Sequence, residues 1–377
     1  MADRSIGPSM HLLLNALFLD PGGSGGPETY LRALAPALRD ARPDTRMTVA
    51  TTRSGAAALR ADSWGEWCAV RALPCDEGQR GRRQLAEQVL LPALARRTGA
   101  DLIHSLASVA PIRTPGTNHV ITLHDVTFFK ARTFNAVTTF GMRQIVSRAA
   151  RHADGLIAVT AAARDEIAAE LGLDAARFAV VHHGATPPRR VAAAPERDVR
   201  DRLGLGQRRV VLCLASKRPH KNQELLVRAA ADLPADLAVV LAGHPEPYDH
   251  ELRVLAARLN VSDRVVFADY VPDADLEALW AMTACAAFPT RAEGFGMPVL
   301  EALSRNVPVV CSDLPVLREV AGELPRFFSP DDPEGAAQAI AAAVAHPPAD
   351  GAQWAAGFTW EAAARGTWQA YDRALAA

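Results

Sequence analysis

Pro289-Thr290-Arg291-Ala292-Glu293-Gly294-Phe295-Gly296-Met297-Pro298-Val299-Leu300-Glu301-Ala302-Leu303 is the stretch that decides how the chain reads. The apolar run CAAFP (285–289) leads into it, two glycines follow, and an amphipathic segment leaves it. Pro298 falls in the first helical turn, where its missing N–H costs nothing. The order is strand, glycine loop, helix. Glycine lets the backbone approach a ligand, and a helix N-terminus offers unpaired N–H groups with partial positive charge, so the arrangement suits a phosphate or diphosphate. Glu293 and Glu301 bracket the loop with seven residues between them. Carboxylates beside an anion are poorly placed to bind the anion and well placed to accept hydrogen bonds from hydroxyls flanking it: a sugar on one side and a ribose on the other. The spacing alone fits an ordinary strand–loop–helix with a capping Glu equally well.

Working outward, the same unit recurs. Apolar runs predict strands at 11–19, 47–52, 101–105, 119–123, 155–160 and 178–183, then at 208–215, 237–243, 264–268, 285–289 and 307–312. Helical patterns lie between them at 28–40, 84–97, 161–171, 223–231, 274–282, 298–304 and 333–345. Strands apolar on both faces, alternating with helices, predict an α/β protein with parallel sheets covered by helices. The rhythm breaks at 186–197, which is Pro-rich and aperiodic and is the linker candidate. It divides the chain into 1–190 and 191–377, two doubly wound, Rossmann-like domains whose strand ends are expected to face a cleft. The last helical stretch, 360–375, is a candidate to pack back on the first domain.

Composition bounds the function. The chain has 377 residues, 49% apolar and 22% charged, with 41 Lys plus Arg against 42 Asp plus Glu. That balance excludes the basic footprint of a nucleic-acid binder and the profile of a disordered chain. The total hides a division: residues 1–190 carry 23 basic and 17 acidic side chains, and 191–377 carry 18 and 25. Five cysteines without a C-x-x-C pair point to a reducing compartment. Neither a secretory signal nor a membrane span is expected, so the protein reads as cytoplasmic.

Four more segments are candidates for chemistry. Ser216-Lys217-Arg218-Pro219-His220-Lys221-Asn222 is a cationic loop after a strand, and it holds two of the chain's three lysines among 38 arginines. Opposite a helix N-terminus such a loop would complete a diphosphate clamp; a solvated cationic loop is the plain alternative. VITLHDVT (120–127) ends a buried strand with His124 and Asp125, where doubly wound domains put site residues. Residues 21–30, PGGSGGPETY, form a glycine-rich loop that is not G-x-G-x-x-G. Arg80, Arg82 and Arg83 cluster before the 84–97 helical pattern, as a solvated helix start or as a surface attracting an anionic or lipid-phosphate acceptor.

The 289–303 string resembles the E-x7-E element of the family 4 retaining glycosyltransferases, in its EGFGxPxLEA form. The resemblance implies the GT-B fold, with the nucleotide-sugar held mainly by the C-terminal domain. It assigns Glu293 to the donor sugar and Glu301 to the ribose. The backbone around Gly294, Phe295, Gly296, Met297 and Val299 is assigned to the sugar and diphosphate. The 216–222 loop resembles the family's PRKN stretch, with His220 in place of its Arg, and makes Lys221 the phosphate-binding lysine. Many members have an Arg five residues before that lysine; here the position is Ser216, a donor-side candidate, and Arg218 is the candidate second cation. The 122–125 segment resembles the T-x-H-D element, which gives His124 a catalytic role at the donor sugar and leaves Asp125 to orient the loop or to contact the acceptor. The glycine loop resembles GGxGxY and makes Gly25 and Gly26 donor-side. Residues 269–273 lie where the family forms its base pocket, with the backbone of Val271 near the base. Arg82 and Arg83 are acceptor-side candidates.

The likeness spans roughly residues 11–325. It implies a metal-independent, retaining hexosyltransferase that needs no cofactor beyond its nucleotide-diphosphate-sugar co-substrate. A mannosyltransferase-like subgroup and GDP-mannose are the leading assignments. The acceptor would be a saccharide, a lipid-linked group or a small molecule, with no nucleic acid and with peripheral membrane contact through the N-terminal domain. The alternatives are a nucleotide-sugar 2-epimerase on the same scaffold and a non-catalytic nucleotide-sugar binding module.

Overall fold

The computed structural model describes residues 10–23, 25–76, 78–127, 136–186, 191–244, 246–347 and 350–376. Contacts divide the chain into two compact units, one of Met1–Gly184 with Thr359–Ala377 and the other of Ala185–Phe358. Of the sequence linker, residues 187–190 lie outside the described residues, as do Ser24 of the glycine loop and Lys130. A helix begins at Glu196, inside the stretch that reads as aperiodic.

Among the described residues the first unit holds seven strands: β1 (His11–Ala16), β2 (Arg46–Thr51), β3 (Ala69–Ala72), β4 (Leu102–Ser105), β5 (Asn118–Leu123), β6 (Gly155–Ala158) and β7 (Phe178–Val180). They form one parallel sheet in the order β3-β2-β1-β4-β5-β6-β7. The second unit holds β8 (Arg209–Leu214), β9 (Leu237–Ala242), β10 (Val265–Ala268), β11 (Thr283–Phe288), β12 (Val309–Ser312) and β13 (Arg326–Phe328). Their order is β10-β9-β8-β11-β12-β13, again all parallel. Both sheets are therefore doubly wound, as expected, with the order reversing between β1 and β4 and between β8 and β11. In such sheets ligands bind beyond the strand C-termini at the reversal.

Several apolar runs are longer than the strands they contain. Residues 11–19 stop being strand at Ala16, yet Leu17 and Leu19 stay buried, in a turn closed by Leu19 N–H donating to the Ala16 carbonyl at 3.0 Å. The 84–97 helical pattern starts earlier, at Arg80, and includes a π-helical turn at Ala86–Leu90. Arg82 and Arg83 thus lie within that helix's first turns, Arg82 exposed and Arg83 half-buried.

The helix Trp360–Ala376 belongs to the core of the first unit. Trp368 is 3% exposed and donates its indole N–H to the Leu38 carbonyl at 3.1 Å. Tyr371 is fully buried and its hydroxyl meets His104 Nδ1 at 2.6 Å. Leu12, Leu14, Leu31, Leu34 and Val49 complete that core. The second unit has its own, built on Val211, Leu226, Val239, Leu241, Val310 and Ile340.

Candidate functional site

In the second unit a pocket opens at the reversal point, between the ends of β8 and β11. It is lined by Cys213, Leu214 and Ala215 from β8 and its exit. Phe288, Pro289 and Thr290 line it from β11, and Gly296, Pro298 and Val299 from the start of the helix Met297–Ser304. Lys221 and Glu293 supply its charges, with Nζ to Oε2 at 2.6 Å and each side chain about four-fifths buried, at 21% and 20% exposure. The pocket thus combines a fixed cation, a carboxylate and a helix N-terminus on mostly apolar walls. Cys213 lies on the floor as a thiol, since burial pushes it up to about 12.

Local sequence explains why these groups converge. Gly296 caps the helix with φ 90°, and a Cβ there would lie 2.6 Å from Leu317 Cδ2, so glycine is required twice over. Pro298 follows where no N–H is needed. Lys221 ends a short 3-10 turn, Pro219–Lys221, and Asn222 follows it in the left-handed region at φ 55°. The Asn222 amide donates to the carbonyls of Pro289 and Pro330 at 2.9 and 2.8 Å. The Thr290 hydroxyl is 3.1 Å from the His220 carbonyl, and Arg291 N–H donates to that carbonyl at 2.8 Å. The loops after β8 and β11 are thereby sewn together, and the lysine is aimed by backbone bonds.

Other candidates sit around this pocket. Phe295 is 3% exposed and packs edge-on against Phe358, so only its backbone faces the loop; Gly294 is buried beside it. Met297 is half-buried at the first helical position. Glu301 is held by Arg305 at 3.4 Å, and Arg305 also reaches Glu277 at 2.9 Å. Arg305 is itself only 8% exposed and lies over the Trp280 ring. Arg218 is turned to Glu246 at 2.7 Å and does not line the pocket. Ser216 is half-buried, its carbonyl accepting from the Gln223 amide at 2.9 Å. Val271 is half-buried just before the helix Asp273–Met282. Sequence reading missed Arg305, Thr290 and Asn222, whose partners lie in other segments.

The first unit carries a separate polar cluster. His124 follows β5, and its Nε2 donates to the Leu106 carbonyl at 2.8 Å. A carbonyl can only accept, so Nε2 bears the proton and Nδ1 is left as the acceptor of the neutral ring. Burial lowers this histidine's pKa, which keeps the ring neutral at pH 7. Tyr30 stands edge-on to it at 5.0 Å, and His183 lies 5.4 Å away and stacks on Trp360. Burial lowers His183 further. Tyr30, the aromatic of the glycine-loop segment, points inward, with its hydroxyl 3.2 Å from that of Thr122. The Asp125 carboxylate accepts from Thr127 N–H at 2.8 Å and shapes the loop. Gly25 caps the helix Gly26–Ala41 at φ 57°, and both Gly25 and Gly26 have open space where a Cβ would stand.

Residues 24–188 match the model of the family described as Glycosyltransferase Family 4, and residues 196–354 match that of glycosyl transferases group 1. The O-antigen chain mannosyltransferase B of Escherichia coli is 35% identical over 125 residues, 32% of this chain and 33% of that protein. The GDP-mannose-dependent alpha-(1-6)-phosphatidylinositol monomannoside mannosyltransferase of Mycolicibacterium smegmatis is 38% identical over 131 residues, 31% of this chain and 34% of that one. The chain thus spans about a third of the length of these two relatives. Among solved structures, Anabaena HepE in complex with UDP covers 96% of this chain and 99% of its own at 22% identity, with a TM-score of 0.73, a likeness of fold.

Proposed function

Because the chain belongs to the family 4 glycosyltransferases of GT-B fold, we propose that it transfers a hexosyl group from a nucleotide-diphosphate sugar to an acceptor hydroxyl, with retention of configuration. The observation that carries this reading is the Lys221–Glu293 pair beside the glycine-capped N-terminus of the helix Met297–Ser304. The amide groups of that N-terminus and the Lys221 ammonium neutralise the diphosphate, work that a metal ion performs in other enzymes. Glu293 accepts from the donor sugar's hydroxyls. Glu301, braced by Arg305, accepts from the ribose. His124 accepts a further sugar hydroxyl through Nδ1. Gly25, Gly26, Ser216 and Val271 complete the donor side, and Arg218 joins when it leaves Glu246. Asp125, Arg82 and Arg83 serve the acceptor.

The reaction breaks the bond between the anomeric carbon and the leaving phosphate oxygen on the same face on which the acceptor oxygen bonds. The acceptor's hydroxyl proton passes to the departing phosphate, so no separate base is required. An oxocarbenium-like centre forms between the two, and the developing diphosphate charge is where Lys221 acts. GDP-mannose is the leading donor, supported by the mannosyltransferase relatives, each matched over about a third of its length. The reading places the protein in the cytoplasm, where its five free cysteines stay reduced.

A thermal-shift panel of GDP-, UDP- and dTDP-sugars tests the donor, because a ligand that binds only the folded state raises apparent stability. GDP-mannose is expected to give the largest shift. Donor incubated alone should remain intact, and adding an acceptor should release nucleoside diphosphate. No shift with any of the sugars would sink the proposal.

A further inference from the structure

Lys217 does something different from Lys221, four residues on. Its side chain is 0% exposed, and it lines no part of the pocket. Nζ donates to the carbonyl of Gly243 at 2.9 Å, to that of Ala268 at 3.3 Å, and to Asp269 Oδ1 at 3.4 Å. Asp249 Oδ1 stands 3.6 Å off, and Arg253 bonds that residue's other oxygen at 2.6 Å. The Lys217 backbone N–H donates to the His244 carbonyl at 3.3 Å. One side chain therefore joins the loops that follow β8, β9 and β10.

Burying an ammonium carries a large desolvation cost, and an apolar side chain of equal volume would fill this space without it. What the ammonium adds is direction, because each acceptor it satisfies fixes a backbone segment. The loops are already in tight register. Gly243 has φ 142°, and a Cβ there would lie 2.2 Å from the Ala215 carbonyl oxygen. Gly243 N–H in turn donates to the carbonyls of Ala268 and Asp269, both at 3.2 Å.

The residues that follow these anchored carbonyls are His244 and Tyr270. Both are exposed, and their ring centroids are 6.1 Å apart at 54°. Tyr270 is 68% exposed, whereas Tyr30 and Tyr371 are buried and Tyr248 is half-buried. A tyrosine held out into solvent beside a buried ammonium is a surface for a planar apolar ligand. It lies at the strand C-termini of the unit that holds the pocket, immediately before Val271.

We infer that Lys217 is a positioning residue for the donor's nucleobase: it fixes the backbone at 243–244 and 268–270 so that the rings of His244 and Tyr270 form a preset stacking platform. The inference rests on the nucleotide-sugar reading above. It gives the two lysines of one loop separate duties, Lys221 to the diphosphate and Lys217, without touching ligand, to the base.

The test uses the full chain and calorimetric titration with GDP, UDP and inorganic pyrophosphate. Lys217→Met should weaken the preferred nucleoside diphosphate about tenfold, the size of one lost base–aromatic stack. Pyrophosphate affinity should hold, and the preference between GDP and UDP should narrow. In turnover, donor KM should rise while kcat holds. Tyr270→Ala, at an exposed ring, should give the same selective loss, and the double variant should lose little more than either single one, since both remove one platform. Should Lys217→Met not fold, Asp269→Ala, at a half-exposed carboxylate, removes one arm of the clamp and must show the same selectivity. Equal weakening of nucleotide and pyrophosphate would mean general loosening and would overturn the inference. Unchanged nucleotide affinity would do the same. If the unaltered protein bound no nucleoside diphosphate at all, the donor reading would fall, and this inference with it.

Discussion

The two units lay down the same strand order and then equip the same sheet edge in opposite ways. In the first, His124 and His183, just past the ends of β5 and β7, pack ring against ring with Tyr30 and Trp360 from two helices, and burial holds the histidines neutral. In the second, β8 and β11 end in Lys221 and Glu293, ion-paired in an open pocket beside a helix N-terminus. Neutral rings offer packing and single hydrogen bonds, whereas fixed charges on apolar walls offer a field. A doubly wound sheet dictates where a ligand goes, and the residues closing the strand ends dictate which part of it.

The largest effect expected is on the fold of the first unit. Trp368 is almost fully buried, bonds Leu38, packs edge-on to Tyr371 at 5.1 Å and lies under the Arg42 guanidinium at 4.4 Å. Trp368→Ala should cost about 3–5 kcal/mol. Two-transition unfolding by calorimetry should show one transition falling and the other holding. A uniform fall in both would mean that the units do not unfold separately and would break the comparison.

Next in size is the charge in the pocket. Lys221→Ala should lower kcat by about 10²-fold or more, close to 2.7 kcal/mol, as expected for the loss of a group that meets charge in the transition state. The same change leaves Glu293 without its ammonium, so Lys221→Ala with Glu293→Gln should be only slightly worse than the lysine change alone. Near-normal turnover in Lys221→Ala would take this lysine out of the reaction.

Acid separates the units more gently. Burial lowers His104 and His119 of the first unit to about 3, against about 6.5 in an unfolded chain. Between those values the unfolded state binds protons that the folded state refuses, so stability is full above pH 6.5 and falls as pH drops. Glu87, pushed up to about 7 by burial, acts the other way between about 4.5 and 7, where the folded state holds the extra proton. Two rings against one carboxyl leave the balance at a loss of stability as pH falls from 6.5 to 4.5, to which His124 and His183 add. The buried polar side chains of the second unit include Lys217, Asn222, Gln223, Thr290 and Ser312, none of them a histidine. Hydrogen exchange at pH 7 and 5.5 should therefore show protection lost first in the first unit; parallel loss in both would contradict the assignment.

What could be read in advance follows from what each feature depends on. Central parallel strands are apolar on both faces, so β1, β5, β8 and β9 stand out as runs. The edge strands β3 and β13 do not, being three or four residues long with Arg71 and Arg326 exposed. Lys221 and Glu293 were legible because each sits in a string more distinctive than its spacing. Lys217 was not: between Ser216 and Arg218 it reads as one more solvated cation, and its acceptors lie 26, 51 and 52 residues away. Arg305 hides in the same way, with Glu277 28 residues distant. Local pattern reveals what a segment does by itself and conceals what several segments do to one side chain.

The smallest effect bears most directly on whether the two edges serve one ligand. Gly296 of the second unit has a structural reason to be glycine, in its positive φ and its contact with Leu317. Gly26 of the first has none: it lies at the start of the helix Gly26–Ala41, carries no positive φ, and has nothing within 4 Å of where a Cβ would stand. Gly26→Ala should accordingly leave the fold intact or steady it by about 0.4–1 kcal/mol, because alanine restricts the unfolded chain. If the glycine is there to let a ligand approach the backbone, donor KM should rise severalfold in a protein that is no less stable. Because stability and binding move apart, a loss of affinity here cannot be blamed on the fold. An unchanged KM would leave Gly26 without a role at the donor.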